Sequence, residues 1–206
     1  MITSRAFAGN GLQSKTSETE SHEANVSELD EAWAQALSEA ENRARAAGRA
    51  DLTEYLSLRN SNDLIRKIGK DWLLNAFASL VAEANAAGGL IQITREDAHR
   101  FKEGNASMVG SSVSLAKGVR RLLVEVGWPR TPGDGFIRGG GLALANIKHL
   151  GIKAASQKLR LLLNPDGSPH WVVENKVDGL AEIHEADLQN HITILLDDSR
   201  IRPRHS

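Results

Sequence analysis

The chain has 206 residues, 41% of them apolar and 25% charged, which allows one full-sized core and is ordinary for a globular protein. It contains no cysteine, which excludes disulfides, thiolate metal sites and cysteine nucleophiles and fits a reducing compartment. No apolar run approaches the roughly eighteen residues that span a bilayer, and the N-terminus lacks the apolar segment of a secretory signal. The sequence therefore predicts a cytoplasmic protein with no membrane partner.

The net charge of −1 hides an uneven distribution of charged side chains. Residues 1–60 hold ten acidic and six basic side chains, and residues 161–206 hold eight acidic and four basic. Residues 91–160 hold five acidic and twelve basic side chains, a local net charge of +7. This basic middle segment indicates a phosphate-bearing partner, a surface that docks acidic segments of this chain or of a second subunit, or a solvated surface with no partner.

The N-terminal part of the chain predicts a disordered leader followed by a helix. Residues 1–26 are polar and poor in large apolar groups, so they cannot offset the entropy of ordering. The stretch Ser27–Asp30 resembles a capping box, and Gly48 is a plausible helix end. Between them, apolar residues at steps of three and four form one face: Leu29, Trp33, Ala36, Leu37, Ala40, Ala44 and Ala47. This face is rich in alanine and, if it is not packed within the monomer, predicts a contact with another protein.

Two more helices are expected before residue 90. A short helix begins at Asp51, and the polar run Asn60–Asp63 interrupts it or caps the next one. A long helix then runs from Asp63 to Ala87 with a wide apolar stripe, and Gly88–Gly89 ends it.

After Gly89 the apolar period changes from about 3.6 residues to 2, which is typical of strands. The predicted strands comprise Leu90–Arg95, continued by or paired with His99–Phe101, then Ser112–Leu115, Val119–Val126, Lys158–Leu163 and Trp171–Glu174. Lys117-Gly118 suits a tight hairpin, and Asn164–Gly167 is a strong turn signal. A last helix is predicted over Ala186–Leu196, with Leu188, Ile192 and Leu195 inward.

This order predicts an α+β fold, with N-terminal helices packed on a mainly antiparallel sheet of five or six strands and a closing C-terminal helix. The expected organisation is a disordered leader at 1–26, a helical segment at 27–89 and a β-rich segment with the final helix at 90–198. Residues 27–198 are expected to form one domain, and residues 199–206 a loose tail.

The stretch Gly127–Gly141 holds six glycines besides its two prolines and two arginines, and it precedes an apolar run, 142–150, that could form a short helix. Glycine lets backbone N–H groups approach a ligand, a helix N-terminus favours an anion, and arginine adds forked donors. The glycine spacing matches neither a P-loop nor a dinucleotide motif. The stretch therefore predicts either an anion site or a long surface loop whose glycines serve turn geometry.

These features predict a non-enzymatic binding protein that holds a phosphate-bearing ligand on a basic sheet and a glycine-rich loop. Nucleic acid is the most plausible ligand. Trp128, Phe101 and Phe136 would stack on bases or, more simply, anchor the core and loop. The predicted ligand-binding residues are Arg130, Arg138, Gly139, Gly140, Gly141, Arg120, Arg121 and Lys148.

Two alternatives remain open. The alanine-rich helix favours an adaptor, a homo-oligomer or a subunit of a larger assembly. A small enzyme acting on a phosphorylated or nucleotide substrate would use Asp97 and His99, expected on one strand face, or Asp134, or the arginines. A metal site is a weaker hypothesis. It would use Glu182, His184, Asp187 and His191, with His149 or His170 as a further ligand. Exposed polar residues on the surface of a helix explain the same pattern more simply. No catalytic residue, metal or cofactor is assigned.

Overall fold

The computed structural model describes residues 32, 34–175 and 179–197. The predicted leader, the Ser27–Asp30 capping box and the tail lie outside these residues, and their expected structures stay predictions. The described chain runs from helices through an antiparallel sheet to a C-terminal helix, which confirms the α+β class. It consists of two compact units, with the boundary in the sequence between Asn60 and Ser61. Among the described residues, no helix combines the length and apolarity needed to cross a bilayer.

In the first unit, helix α1 covers residues 34–46, and helix α2, Ala50–Ala86, begins four residues later. Leu37, Ala44 and Leu56 are buried between them, and Ala40 and Leu52 pack at the margin. The predicted helix end at Gly48 is confirmed, because this residue has a φ of 70° and its N–H donates to the carbonyl of Arg45. The small core uses part of the predicted alanine-rich face.

Helix α2 is continuous, so the predicted interruption at Asn60–Asp63 is wrong. The polar run contains neither glycine nor proline, and asparagine and serine each cost less than about 0.7 kcal/mol relative to alanine inside a helix. Asp63 also accepts a 2.7 Å bond from Arg66 one turn later. The predicted end is confirmed, because α2 stops at Ala86 and Gly88 has a φ of 89°.

Seven strands follow in the described part of the chain, and each pairs antiparallel with the next. They are β1 (Gln92–Glu103), β2 (Ala106–Lys117), β3 (Arg120–Trp128), β4 (Ala143–His149), β5 (Gln157–Leu163), β6 (Pro169–Asn175) and β7 (Gly179–Glu182). The Asn164–Gly167 turn joins β5 to β6 as predicted, whereas the β2–β3 turn is Gly118-Val119, one residue later than expected. No secondary-structure element had been predicted from the sequence at strand β7. Helix α3, Glu185–Leu196, closes the chain.

The apolar run 142–150 is strand β4 and not the short helix that was expected. Its side chains alternate, with Ala143, Ala145, Ile147 and His149 on one face and Leu144, Asn146 and Lys148 on the other. Because β4 lies between β3 and β5, both edges of its backbone are hydrogen-bonded. This pairing outweighs the modest helix preference of its leucines and alanines.

The two faces of the sheet differ. The helix face carries the main core, in which Val124, Ile147 and Leu161 pack under α2 and α3. Helix α3 contributes to this core the three residues that were predicted to point inward, and all three are buried: Leu188, Ile192 and Leu195. The outer face is defined here by the alternate strand positions that point away from these helices, such as Glu125, Asn146 and Lys148.

Part of the outer face is covered by the glycine-rich loop between β3 and β4. Ile137 of this loop is buried in a second, smaller cluster. The strand residues of that cluster are Phe101, Ala106, Met108 and Leu144. The loop therefore has a packing role at one end of the outer face.

Candidate ligand site on the outer face of the sheet

A rank of polar side chains crosses five adjacent strands of the outer face. The cross-strand partners are Glu96 with Ser112, Ser112 with Glu125, Glu125 with Asn146, and Asn146 with Lys158. The middle three are buried, with exposures of 4% for Ser112, 5% for Glu125 and 2% for Asn146. Buried polar groups at neighbouring positions require partners or a ligand, so this rank is the first place to look for function.

A β-bulge at the start of the rank decides which side chains join it. The register shifts between Asp97 and His99, and Ala98 between them has a φ of 59°. Asp97 consequently points to the helix face, where it accepts a 2.6 Å bond from Ser111. His99 points to the outer face. The expectation that Asp97 and His99 share one strand face is therefore wrong, because the bulge inserts an extra residue between the two pairings.

His99 and Lys148 both bind the Glu125 carboxylate. The Nε2 atom of His99 is 2.9 Å from one Glu125 oxygen, and the Lys148 ammonium donates to the other. Burial alone would raise the pKa of Glu125, but the hydrogen bonds and charges of Lys148 and His99 outweigh burial and lower the pKa below its usual value. Glu125 is therefore a carboxylate at neutral pH.

The second ring nitrogen of His99 is also engaged, since Nδ1 lies 3.0 Å from a Glu96 oxygen. Both nitrogens thus face carboxylates on separate strands. A histidine in this position holds β1 to β3 and has no nitrogen directed at a substrate. The geometry favours a structural clamp over a general base.

Asn146 differs from its neighbours in the rank. Its side-chain Oδ1 and Nδ2 atoms are both buried, and neither has a hydrogen-bond partner among the described atoms. A buried polar group left without a partner costs about 1–3 kcal/mol. The amide offers one acceptor and two donors, so it is equipped to meet a ligand or water on the outer face.

Cationic side chains surround this amide. Lys158 lies directly across from Asn146 on β5, and Lys148 is the next outer-face residue along β4. Arg160 is diagonal to Asn146, opposite Leu144, at a distance that long side chains can reach. Lys158 also binds Glu103 of β1. The amide, these three cations and Glu125 are called the polar patch below.

The glycine-rich loop meets the polar patch at Arg160, whose Nη1 donates to the carbonyl of Gly139. Gly139, Gly140 and Gly141 all have positive φ, at 78°, 80° and 109°. A Cβ atom at Gly139 would lie 2.4 Å from Arg160 Nη1, and one at Gly141 would lie 3.2 Å from the Leu161 carbonyl oxygen. These glycines therefore permit the loop to approach β5 closely.

The predicted ligand-binding residues are divided between the two faces. Lys148 and Gly139–Gly141 lie at or beside the polar patch, and Arg121 is an exposed outer-face residue of β3. Arg120 points to the helix face, where it donates to the Ile194 carbonyl at 2.8 Å. Arg130 stacks on the ring of Trp128, 4.3 Å from its centroid. Arg138 is exposed in the loop.

The aromatic residues considered for base stacking are also separated. Trp128 and Phe101 are buried in the two cores, with exposures of 5% and 8%. Phe136 is 76% exposed in the loop. Two of the three rings therefore act as core anchors, the simpler of the two roles expected for them.

The histidines behind the metal hypothesis form a different arrangement. His191 Nδ1 lies 2.9 Å from His149 Nε2, and His191 Nε2 lies 3.1 Å from the Gln157 side-chain oxygen. Asp187 instead accepts from the backbone N–H of His184. Across residues 32, 34–175 and 179–197, no group of three or more histidine or carboxylate side chains is placed to hold a metal ion.

Burial, with a smaller effect of the nearby His149 ring, lowers the pKa of His191 to about 4, although the Asp187 carboxylate acts in the opposite direction. Burial also lowers the pKa of His149. Both rings are therefore neutral at pH 7, and the pair is a buried hydrogen-bonded contact between β4 and α3.

Sequence reasoning missed Asn146, Glu125 and Arg160 as site residues. A signal was present for Asn146, because it is a polar residue between the apolar residues Ala145 and Ile147. Treating the run 142–150 as a strand would have placed Asn146 and Lys148 together on one face. The pairing of these residues with β3 and β5 had no local signal.

Comparisons with protein-family models, with curated proteins and with solved structures gave no match to this chain.

Proposed function

We propose that this protein is a binding protein that holds a small phosphate-bearing ligand at the polar patch, beside the Gly139–Gly141 segment of the loop. The observation that carries the proposal is Asn146, an amide that is 2% exposed and has no described partner on either polar atom. A bound ligand with donor and acceptor groups would satisfy it and offset its desolvation cost.

The charges around the amide support an anion. Lys148, Lys158 and Arg160 outnumber the two carboxylates that pair with them, Glu125 and Glu103. Each ammonium has three donor hydrogens and the guanidinium has five, so donors remain beyond the internal contacts. Phosphate oxygens accept several such bonds at once, and the Asn146 Nδ2 atom would add another. The Asn146 Oδ1 atom would accept from a hydroxyl of the ligand.

The extent of the basic surface supports a small ligand over nucleic acid. The outer-face lysines and arginines of β1–β5 are Arg121, Lys148, Lys158 and Arg160, all on β3–β5. Three adjacent strands span only about 10 Å. Phe136 is the exposed ring among the three aromatic residues considered for stacking. Single-stranded nucleic acid is normally held by a longer basic groove with several rings.

Calorimetry with phenyl phosphate tests this function. The unmodified chain is expected to bind, whereas Asn146→Leu and Arg160→Gln are expected to bind about tenfold or more weakly, the value of one lost charge-assisted bond. Lys153→Gln, which removes an exposed lysine of the β4–β5 connection, is the matched control and should bind normally.

Labelled single-stranded DNA and RNA, each at two salt concentrations, form the second arm. The labelled DNA and RNA are expected to bind weakly, and phenyl phosphate is not expected to displace them. Tight, salt-sensitive binding that Arg160→Gln weakens would replace the small ligand with nucleic acid. Failure of the unmodified chain to bind phenyl phosphate, or equal binding by Asn146→Leu, would contradict the proposal.

A further inference from the structure

Three large apolar side chains of helix α2 are exposed in a single row. Leu64, Ile68 and Trp72 follow one another at steps of four residues, which places them side by side along one strip of the helix surface. Their exposed fractions are 60%, 49% and 44%. We call these three residues the α2 ridge. A contiguous exposed row of this kind indicates a contact site, which a single scattered apolar residue does not.

The α2 ridge is carried by a helix that is fixed to the sheet. Gly69 packs so closely on β5 that a Cβ atom at this position would lie 2.7 Å from the Leu161 methyl groups. The Nε1 atom of Trp171 donates to the Gly69 carbonyl at 2.9 Å, which holds α2 against β6 as well. A fixed helix loses little conformational freedom when its exposed side chains are covered, so the ridge is suited to a contact with another molecule.

The sequence around the α2 ridge is self-complementary about Ile68. Two copies of α2 that pack antiparallel, with a two-fold axis at Ile68, bring together residues that lie equally far before and after it. Leu64 of one copy would then meet Trp72 of the other, a smaller side chain against a larger one. Ser61 would meet Asn75, and both are exposed polar residues that can hydrogen-bond to each other. The pattern therefore matches a second copy of this chain.

Two charged residues beside the ridge complete this match. Because successive helix residues turn by about 100°, Lys67 and Asp71 lie on the same flank of the ridge. Among the residues that the structure describes, Lys67 has no ion-pair partner, and Asp71 contacts its neighbour Lys70 at 3.4 Å. A lysine four residues before an acidic residue is also the less favourable order for a pair within one helix. In the antiparallel arrangement the same flanks of the two copies face each other, so Lys67 and Asp71 would form two symmetry-related ion pairs.

We propose that two copies of this chain associate through their α2 ridges, packed antiparallel, with Lys67 of each copy paired to Asp71 of the other. Three half-exposed side chains and their neighbours offer less than the roughly 800 Å² that each partner contributes to a standard interface. The dimer is therefore weak and reversible, with a dissociation constant in the micromolar range. The ridge belongs to α2, which packs on the helix face of the sheet, whereas the polar patch is on the outer face. Association is independent of the proposed phosphate-bearing ligand.

Sedimentation equilibrium of the full chain, from low micromolar to near-millimolar concentration, tests the association. A reversible equilibrium between monomer and dimer is expected. Ile68→Asp places a carboxylate on the two-fold axis and is expected to weaken the dimer about a hundredfold or more. Because the Ile68 side chain is half exposed in the monomer, this variant is expected to fold, and thermal melting checks that it does. Lys153→Glu, at an exposed lysine of the β4–β5 connection, is the matched control and should associate normally.

Charge reversal tests the pairing between the copies. Lys67→Glu and Asp71→Lys each place like charges opposite each other at both contacts, and each is expected to weaken the dimer about tenfold. An equimolar mixture of these two variants restores opposite charges at both contacts and is expected to form a heterodimer about as tight as the unmodified dimer, a rescue that a role within the monomer would not give. A chain that stays monomeric at every concentration, a dimer that a folded Ile68→Asp leaves intact, or a mixture that associates no better than either variant alone would each overturn the proposal.

Discussion

Acidification should weaken this fold through the buried His149–His191 pair. The pKa of His191 is about 4 in the folded protein, below its ordinary value of 6.5. Because the unfolded chain takes up the proton first as the pH falls, the contribution of neutral His191 is complete above about pH 6.5 and is lost progressively toward about pH 4. The groups that face the ring are His149 from β4, Gln157 from β5 and Asp187 from α3 itself.

The size of the effect follows from the two pKa values. One pKa unit corresponds to about 1.4 kcal/mol, so a decrease from 6.5 to about 4 makes the folded protein about 3 kcal/mol less stable at pH 4 than at pH 7. His149, whose pKa is also lowered, acts in the same direction. A loss of this size is a large part of the roughly 5–15 kcal/mol of stability that is typical of a domain.

Urea unfolding at several pH values between 7 and 4 measures this loss. The unmodified chain should lose about 3 kcal/mol more over this range than His191→Gln, which cannot take up the proton. His184→Gln, an exposed residue at the start of the same helix, is the control and should follow the unmodified chain. Equal pH slopes for the unmodified chain and His191→Gln, or an NMR titration of His191 near its ordinary pKa, would refute this reasoning.

Three substitutions test the packing. Gly110→Ala should cost more than about 3 kcal/mol, because its Cβ atom would lie 1.9 Å from the Val126 carbonyl oxygen. In the control Gly133→Ala the new Cβ atom would make only an ordinary contact, 3.7 Å from the Thr131 hydroxyl, and equal melting temperatures for the two variants would count against the β2–β3 register. Arg120→Met should cost about 1.5 kcal/mol in urea unfolding, since the Ile194 carbonyl loses its donor; an unchanged free energy of unfolding would show that this bond does not anchor α3. Asn146→Leu should raise the free energy of unfolding by about 1 kcal/mol or more, because it removes an unpartnered buried amide; a destabilised variant would mean that Asn146 has a structural partner.

Much of the fold could be predicted from local pattern. The alternation of Leu122, Val124 and Val126 gave the core face of β3, and Gly88 and the Asn164–Gly167 turn marked real ends of elements. Strand β4 was missed because the short run 142–150, in which leucine and alanine predominate, fits a strand or a helix equally, and the neighbouring strands decide between them. The bulge at Ala98 has no local signal, since neither glycine nor proline marks it.

The candidate site was predicted only in its location along the chain. The basic surplus of residues 91–160 contains Lys148, Lys158 and Arg160, but the same surplus contains Arg120 and Lys117, which bind the C-terminal carbonyls of α3. Sorting one group from the other requires the strand register, which sets the face of each side chain. Composition cannot supply that register.

The most direct test of the proposed function is the side-chain amide of Asn146 in 1H–15N NMR spectra during titration with inorganic phosphate. The two Nδ2 proton signals should shift with phosphate concentration and saturate in the unmodified chain and in Lys153→Gln, and the same shift should require about tenfold or more phosphate in Arg160→Gln. Signals that stay in place in the unmodified chain, or that shift equally in Arg160→Gln, would contradict a phosphate-binding site at the polar patch.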